Sequence, residues 1–411
     1  MNIEIDYAGG KKEIEVPDQN LLAVIDPKKV EKKDEGELVR KALGTKFSDF
    51  IKNGKILFIV NDGQRPTPTA KLLYSIHDEI KDKNPHFIVA TGSHREPTEE
   101  ELNRIFGEEN LNEFRNNIFI HKAKESPVEF IGKTSRGTEV SINKKALEFD
   151  KLININSVEP HYFAGYSGGR KSFFPGICAH ETIAQNHRYA LRDESQNCRL
   201  KGNPVHEDME EAVGMLADKK EIFSINLVAD GDSDIYDVQA GEWKDSFYRA
   251  VESCKEIYCV PIKEKAEVVI TVAQPPMDIN LYQSQKSIEN GKMALKEGGI
   301  LILVSECIDG IGPSEFYDLL SKSDIPEELF KEIHDNYVLG HHKAAKILSI
   351  VSCSRICAVT SLDDETIKKC FITPSKDLQN SLDSALKEKG PGAKVIILRH
   401  GSATAPLLSQ P

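Results

Sequence analysis

The chain has 411 residues, a formal net charge of −12 at pH 7, and 39% hydrophobic and 29% charged residues. Since this length is large for one core, we expect two domains, and the acidic balance argues against a nucleic-acid-binding surface. No apolar run approaches the roughly 20 residues that a membrane helix needs, so we expect no membrane span. Few, scattered cysteines and a charged N-terminal strand pair in place of a signal peptide predict a cytoplasmic protein.

The first half of the chain alternates between strand-like and helix-like segments. Residues 3–16 are predicted to form a hairpin with Gly9 and Gly10 at its turn. Buried strands are predicted at 55–60, 86–92, 151–157 and 223–230, and an amphipathic helix at 70–81. The spacing Thr98-x-x-Glu101 predicts a capping box that opens a further helix. This alternation predicts an α/β fold with mainly parallel sheets.

A second series of the same kind begins near residue 255. Its strands are predicted at 257–262, 267–273, 299–306 and 394–402, and its helices at 281–295 and 341–351. A polar segment near residues 258–265 predicts the boundary between two α/β domains, 1–260 and 261–411. We expect the N-terminal domain to carry the functional loop described next and the C-terminal domain to close over it. The active site is then expected in the cleft between them.

The strongest functional signal comes from residues 159–188, with the sequence EPHYFAGYSGGRKSFFPGICAHETIAQNHR. The stretch contains four glycines, Lys171 and three histidines, and it lies between a predicted strand and a predicted helix. Gly168 and Gly169 permit positive φ angles, so we expect their N–H groups to cradle an anion. Lys171 adds a cation or a nucleophilic amine. The loop therefore predicts a site for a phosphate, a cofactor, or both.

The segment GYSGGRKS also resembles the phosphate-binding pattern G-x-x-x-x-G-K-[ST], except that Arg170 replaces the last glycine. In such a P-loop the strand leads directly into the loop and a helix begins at the lysine. Here EPHYFA separates the strand from the loop, and Pro175 and Gly176 follow the lysine and would break a helix. These features disfavour a nucleotide hydrolase. No strand is followed by the G-x-G-x-x-G pattern of a Rossmann dinucleotide site either.

Polar side chains follow several predicted strands at their carboxyl ends, where ligands of α/β sheets bind. They are Asp62, Gln64, Arg65, His94, Arg95, His161 and Lys171 in the first series, and Gln283 and Lys286 in the second. Each one alone has an ordinary explanation, such as a surface charge, a histidine packed in the core, or a solvated helix lysine. Their accumulation at one rim is what predicts a functional site.

These residue types together suit a particular chemistry. Arginine binds a carboxylate through two hydrogen bonds, so Arg65 with Lys286 would hold a small acid. Two histidines from different loops, His94 and His161, would act as acid and base on opposite faces of one centre, which suits a racemase. Because the α-hydrogen of a 2-hydroxy acid is very weakly acidic, hydride transfer to a cofactor makes the inversion feasible. Lys171 is where a phosphorylated cofactor would be tethered.

Four motifs carry a resemblance to a known family: DGQRPTPT, ATGSHR, EPHYFAGYSGGRKSFFPG with a following QNH, and DINLYQSQK. With them, the chain resembles the nickel-dependent lactate racemase family over nearly its whole length. The resemblance implies nickel held by a pyridinium-3,5-bisthiocarboxylic acid mononucleotide, the nickel pincer nucleotide, which separate cofactor-synthesis enzymes provide. It also implies a racemase or epimerase that inverts C2 of a 2-hydroxy acid by proton-coupled hydride transfer.

The resemblance also implies roles for residues of this chain. Lys171 would bind the cofactor covalently, and His187 would be the protein's nickel ligand in a square-planar site with sulfur donors. His94 and His161 would be the acid/base pair. The other predicted site residues are Arg65, Lys286, Gln283, Asp62 and His342 for the substrate, and Ser167, Gly168 and Gly169 for the cofactor.

One position departs from the family pattern. Lactate racemases proper have a tryptophan near the substrate in a C-terminal helix, whereas the corresponding stretch here reads GHHKAAKIL, so His341 or His342 takes its place. A histidine is smaller and polar, which favours a larger or more polar 2-hydroxy acid over lactate. The alternative to an enzyme is a non-catalytic protein that binds a phosphorylated ligand on the same loop.

Overall fold

The computed structural model describes residues 1–231 and 233–409. The strands are β1 (Asn2–Tyr7), β2 (Gly10–Glu15), β3 (Leu21–Ile25), β4 (Ile56–Asn61), β5 (His86–Ala90), β6 (Ile118–Ile120), β7 (Val128–Lys133), β8 (Glu139–Asn143), β9 (Lys151–Ser157), β10 (Pro160–His161), β11 (Gly165–Tyr166), β12 (Glu221–Ala229), β13 (Ile235–Glu242), β14 (Cys259–Ile262), β15 (Ala266–Val272), β16 (Leu295–Val304), β17 (Arg355–Val359), β18 (Thr373–Ser375), β19 (Val395–Leu398) and β20 (Ala405–Leu408). The helices are α1 (Glu35–Phe50), α2 (Thr69–Ile80), α3 (Glu99–Phe106), α4 (Glu108–Phe114), α5 (Lys144–Glu148), α6 (His180–Arg188), α7 (Pro204–Ala217), α8 (Trp243–Tyr258), α9 (Leu281–Ala294), α10 (Ser314–Leu320), α11 (Pro326–Asp335), α12 (His341–Val351), α13 (Asp364–Lys369) and α14 (Leu378–Lys389).

The chain forms two compact units. The N-terminal unit consists of Lys29–Glu159 and Phe163–Ile257. The C-terminal unit consists of Met1–Lys28, Pro160–Tyr162 and the chain from Tyr258 onward. None of the helices in the described ranges combines the length and the apolar content that crossing a bilayer requires.

The N-terminal unit is built on a sheet with the strand order β13-β12-β9-β4-β5-β6. Neighbouring strands are parallel, except that β13 runs antiparallel to β12. The central strands are continuous apolar runs, such as residues 56–60 of β4, and they are fully buried because both faces are covered. The strand order reverses between β4 and β9, which is the position where ligands of such sheets bind.

The carboxyl ends of β4, β5 and β9 lie side by side. Asn61 at the end of β4 pairs with Ala90 at the end of β5, and Val60 pairs with Ile155 in β9. Asp62 follows β4, and His94 follows β5 by four residues. The loop that contains Lys171 follows β9, so one edge of the sheet positions these predicted site residues, as the alternating sequence pattern indicated.

The C-terminal unit is built on a second parallel sheet, with the order β18-β17-β16-β15-β19-β3. Helix α9 packs against β15, β16 and β20 of this unit. Residues 283–291 of α9 are all buried, although the sequence SQKSIENGK is polar on most sides. The ordinary explanation of Lys286 as a solvated helix lysine is therefore wrong. The predicted α/β class with mainly parallel sheets is confirmed.

Two details of the N-terminal segment differ from the predictions. β3 extends the C-terminal sheet by pairing with β19, so Met1–Lys28 does not belong with the rest of a domain 1–260. An apolar run of five residues is enough for this pairing, and nothing local in it indicates which sheet it joins. The hairpin turn consists of Ala8 and Gly9, both at positive φ, because Tyr7 pairs directly with Gly10.

Candidate active site

His94 is held by a buried carboxylate. Its Nδ1 lies 2.6 Å from Oδ2 of Asp62, a residue whose exposed fraction is only 4%. Burial alone would raise the pKa of Asp62, but the charge and the hydrogen bond of His94, with the charge of Arg65, lower it below its ordinary value. Asp62 is therefore an ionised partner that orients the imidazole of His94 through Nδ1. Asp62 thus has a partner within the chain, whereas its contact with a substrate stays a prediction.

The loops after β4 and β5 are fixed by close contacts. A Cβ atom on Gly63 would lie 2.7 Å from Cγ of Glu101, so the first loop needs glycine at this position. Gly92, in the second loop, adopts a φ of 56° and donates its N–H to the carbonyl of Gly176 at 2.9 Å. The loop that carries His94 is thus connected directly to the loop that carries Lys171.

Lys171 lies in a short 3₁₀ turn, Gly169–Ser172, and α6 begins only at His180. A phosphate-binding P-loop requires a helix that begins at the lysine. The structure therefore supports the objections to a nucleotide hydrolase.

The glycines beside Lys171 are explained by packing. A Cβ atom on Gly168 would lie 2.6 Å from Oδ1 of Asn156, so a larger residue has no room here. Gly169 donates its N–H to the same Asn156 oxygen at 2.7 Å, which contradicts the prediction that this N–H is available to an anion. Ser167 Oγ donates to the carbonyl of Glu159 at 3.3 Å. Contact of Ser167, Gly168 and Gly169 with a cofactor stays a prediction.

Lys171 and His187 contact the same aromatic ring. Nζ of Lys171 lies 5.3 Å from the ring centre of Phe163. The imidazole of His187 lies edge-on to this ring, with the two ring centres 5.1 Å apart. Phe163 was not predicted as a site residue, and it places the amine and the imidazole within reach of one small molecule.

His187 lies in α6 and is largely buried. Its Nδ1 lies 3.2 Å from Oδ1 of the preceding residue, Asn186, which is fully buried.

Arg65, on the loop after β4, donates from Nη1 to the carbonyl of Gln64 at 3.0 Å. The predicted residues Asp62, Arg65 and His94 are thus brought together in the N-terminal unit, and Lys171 and His187 form a second group there.

The remaining predicted residues belong to the C-terminal unit. Gln283 and Lys286 are buried on α9, and Nζ of Lys286 donates to Sδ of Met277 at 3.3 Å. The imidazole of His161 stacks on the ring of Tyr162, with ring centres 5.1 Å apart and an interplanar angle of 14°.

Both candidate replacements for the tryptophan lie in the first turn of α12 and are buried. Nδ1 of His342 lies 3.1 Å from the hydroxyl of Tyr337. Nδ1 of His341 accepts a hydrogen bond from the N–H of Val338 at 3.2 Å, in the segment that directly precedes α12. Both rings are thus engaged through Nδ1, and contact of His342 with a substrate stays a prediction.

Lys343 is a buried cation that sequence reasoning missed. Its Nζ lies 3.8 Å from the ring centre of Tyr282 and 5.5 Å from that of Tyr162. It also donates to the carbonyl of Tyr282. The available signal was a lysine directly after two histidines in an otherwise apolar helical segment.

Both halves of the chain match domains of one family. The sequence profile described as the lactate racemase N-terminal domain matches residues 7–198, and that of the lactate racemase C-terminal domain matches residues 262–404. A lactate racemase from Thermoanaerobacterium thermosaccharolyticum is 32% identical over 97% of this chain and 98% of its own length. A lactate racemase from Lactiplantibacillus plantarum is 31% identical over 90% of each chain.

The chain belongs to the lactate racemase family. The solved lactate racemase apoprotein from Thermoanaerobacterium thermosaccharolyticum matches with a TM-score of 0.90 at 30% identity, over 99% of this chain and all of that chain. A Thermotoga maritima protein, at 17% identity and a TM-score of 0.71 over 92% of this chain, shares the fold. The predicted lactate racemase family, the fold class and the enzyme class, an isomerase, are confirmed. The roles of individual residues stay predictions.

Proposed function

We propose that this lactate racemase family member inverts the C2 centre of a 2-hydroxy acid with a nickel pincer nucleotide bound to Lys171. The observation that carries the proposal is the arrangement around Phe163, whose ring centre lies 5.3 Å from Nζ of Lys171 and 5.1 Å from the His187 ring centre. A tethering amine and an imidazole ligand are thus close enough to act on one cofactor. The donor chemistry agrees, since an imidazole nitrogen suits nickel(II) beside soft sulfur donors.

The residues of this chain would bind the substrate and move its proton. When bound, the cofactor supplies an electrophilic carbon that accepts and returns hydride. His94 would take the hydroxyl proton on Nε2, because its Nδ1 is engaged by Asp62 at 2.6 Å. The negative charge of Asp62 would stabilise the imidazolium that forms. His161 would serve the opposite enantiomer, and Arg65 and Lys286, with Gln283, would hold the substrate carboxylate.

Intact mass and metal analysis test the cofactor. The protein, produced together with cofactor-synthesis enzymes, should contain nickel and a mass increase that maps to Lys171. Lys171→Ala should lose the mass increase, the nickel and the activity. Lys52→Ala, which removes an exposed lysine paired with Asp49 at 2.5 Å, is the control and should change none of them. Active protein with unmodified Lys171 and no nickel would refute the proposal.

We further propose a substrate that is larger or more polar than lactate. The support is His342, a fully buried imidazole paired with Tyr337, at the position where the resemblance implies tryptophan. Loss of optical rotation should be measured for enantiopure lactate, 2-hydroxy dicarboxylic acids and sugar acids. His342→Trp should shift the ratio of kcat/KM values towards lactate. A native protein with its highest kcat/KM on lactate would contradict this preference.

A non-catalytic binding protein was the alternative that the sequence left open. It predicts that His94→Gln and His161→Gln leave ligand binding and function intact. Membership in a family of racemases does not favour this alternative, and the ionised partner of His94 has no purpose in simple binding. Loss of racemisation with retained cofactor in both variants would exclude it.

A further inference from the structure

A buried carboxylate lies behind the proposed nickel ligand. Asp208, on α7, is fully buried and accepts hydrogen bonds from three side chains. Oγ1 of Thr134 donates to it at 2.6 Å, and Oγ1 of Thr138 donates at 2.8 Å. The third donor is Nδ2 of Asn186, at 2.8 Å. All of these residues belong to the N-terminal unit.

These contacts determine which way the amide of Asn186 points. A carboxylate only accepts hydrogen bonds, so Asn186 must turn its NH₂ group towards Asp208. The carbonyl of Val205, 3.2 Å from Nδ2 of Asn186, favours the same orientation. The amide oxygen of Asn186 therefore faces the ring of His187, 3.2 Å from Nδ1.

The amide orientation in turn determines the tautomer of His187. An amide oxygen can only accept, so Nδ1 of His187 must carry the hydrogen of the neutral imidazole. Nε2 then keeps its lone pair, which is what a metal ion requires. We propose that Asp208 is a positioning residue that acts through Asn186 to present Nε2 of His187 to the metal. The metal part rests on the proposed function, whereas the tautomer is a property of the protein alone.

The tautomer of His187 can be measured without any metal. Long-range ¹H–¹⁵N NMR spectra of histidine-labelled apoprotein, at a pH where imidazoles are neutral, distinguish Nδ1–H from Nε2–H rings. The chain has 12 histidines, so His187→Gln identifies the signals by their loss. Wild-type protein should show Nδ1–H at His187. An Nε2–H ring in folded wild-type protein would overturn the proposal, whatever the behaviour of any variant.

Asp208→Asn tests the positioning residue itself. The new amide can donate to Asn186, which permits Asn186 to turn round and offer its NH₂ to His187. We expect a shift towards the Nε2–H tautomer and nickel that is lost to a chelator about 10- to 100-fold more readily. Thr138→Val is the control, since it removes one donor and keeps the carboxylate, and it should retain the Nδ1–H tautomer.

The two readouts separate the inference from the proposed function. A folded Asp208→Asn protein with an unchanged tautomer would show that Asp208 is only structural and would overturn the positioning role. A changed tautomer with unchanged nickel retention would show that His187 does not bind the metal and would overturn the proposed function at this residue. If Asp208→Asn does not fold, the wild-type tautomer still decides the inference.

Discussion

Two histidines of the N-terminal unit differ in how a carboxylate reaches them. His94 contacts its carboxylate directly, with Nδ1 2.6 Å from Oδ2 of Asp62. His187 contacts an amide oxygen at 3.2 Å, and the carboxylate of Asp208 lies on the far side of that amide, 2.8 Å from its nitrogen. Both arrangements fix the ring and its Nδ1 hydrogen. Only the first places a full negative charge against the imidazole.

The difference agrees with the proposed roles of the two residues, a base at His94 and a metal ligand at His187. A neighbouring carboxylate favours the protonated imidazolium, which suits a residue that must accept a proton. A metal ligand must stay neutral, because a protonated ring offers no lone pair. Asp208 orients the amide of Asn186, and this amide is uncharged, so it orients His187 without placing a negative charge next to the ring. An imidazole and a carboxylate thus occur in two arrangements, each of which suits a different proposed role.

A third histidine shows what neutral partners do by themselves. His121 is fully buried, its Nε2 donates to the carbonyl of Cys178 at 2.9 Å, and its Nδ1 accepts from Nδ2 of Asn143 at 3.0 Å. Burial lowers its pKa to about 4, although the hydrogen bond to Cys178 works in the other direction. Without a carboxylate, a buried imidazole in this unit is held neutral.

The largest expected effect comes from removing the charge beside His94. Asp62→Asn keeps the volume and the possibility of a hydrogen bond but no longer stabilises the imidazolium, so kcat should fall by about 10²- to 10⁴-fold. Nickel content and the mass at Lys171 should not change. Asp150→Asn, at an exposed aspartate that accepts the backbone N–H of Lys55 at 2.8 Å, is the control. An unchanged kcat in fully loaded Asp62→Asn protein would remove the distinction between the two histidines.

The contact between Asp62 and His94 and the chain from Asp208 through Asn186 to His187 differ in how far the sequence could predict them. Asp62 and His94 each follow a strand that the alternating pattern predicted, and the strands are neighbours, so their meeting at one sheet edge was predictable. The 2.6 Å contact was not, because loop geometry depends on tertiary contacts such as that of Gly63 with Glu101. Asp208 gave no signal, since it lies within an ordinary amphipathic helix and reaches Asn186 only through packing.

Two other sequence patterns were open to more than one explanation, for a physical reason of the same kind. Gly168 and Gly169 suggested an anion cradle, yet the close approach of Asn156 to Gly168 and of Phe247 to Gly169 requires glycine equally well, and sequence cannot distinguish the two needs. The polar sequence of α9 left open a solvated lysine at position 286, but residues 283–291 are all buried. Local composition indicates which residues are unusual, and only the fold shows whether protein or ligand satisfies them.

Asn186→Asp would convert the indirect arrangement into the direct one. The introduced carboxylate would face Asp208 at about the present 2.8 Å, so we expect a loss of about 3 kcal/mol in the free energy of unfolding at pH 8. Because a like charge raises the folded-state pKa of the introduced group above its unfolded value, the loss should shrink as the pH falls towards 4 and grow as it rises. Urea unfolding at several pH values measures this.

The charge-matched control for this variant is Asn53→Asp, at an exposed position. It should leave the free energy of unfolding nearly unchanged over the same pH range. A loss in Asn186→Asp that does not depend on pH would mean that shape, and not charge, excludes a carboxylate beside His187.

The lowered pKa of His121 predicts a smaller effect, on the pH dependence of the free energy of unfolding. Its folded-state pKa of about 4 lies below the ordinary 6.5, so between these values the unfolded chain binds a proton that the folded chain does not. Stability should therefore fall as the pH falls through this window, by about 1.4 kcal/mol per pH unit for one such group. His121→Gln keeps a donor and an acceptor and does not titrate, so its slope should be smaller by up to that amount. Equal slopes in urea titrations would contradict the neutral assignment.

The smallest effect tests whether His94 is positioned by its carboxylate or by the helix that follows it. Thr98 and Glu101 form a capping box at the start of α3, and Glu101 also binds Arg95, next to His94. Thr98→Ala should lower the free energy of unfolding by about 1 kcal/mol and leave kcat nearly unchanged, because Asp62 still orients the ring. A fall in kcat as large as that of Asp62→Asn would instead assign the orientation of His94 to α3. The free energy of unfolding and kcat should be measured on the same cofactor-loaded protein. Together they separate the stability that the capping box gives to the His94 loop from the effect of Asp62 on His94.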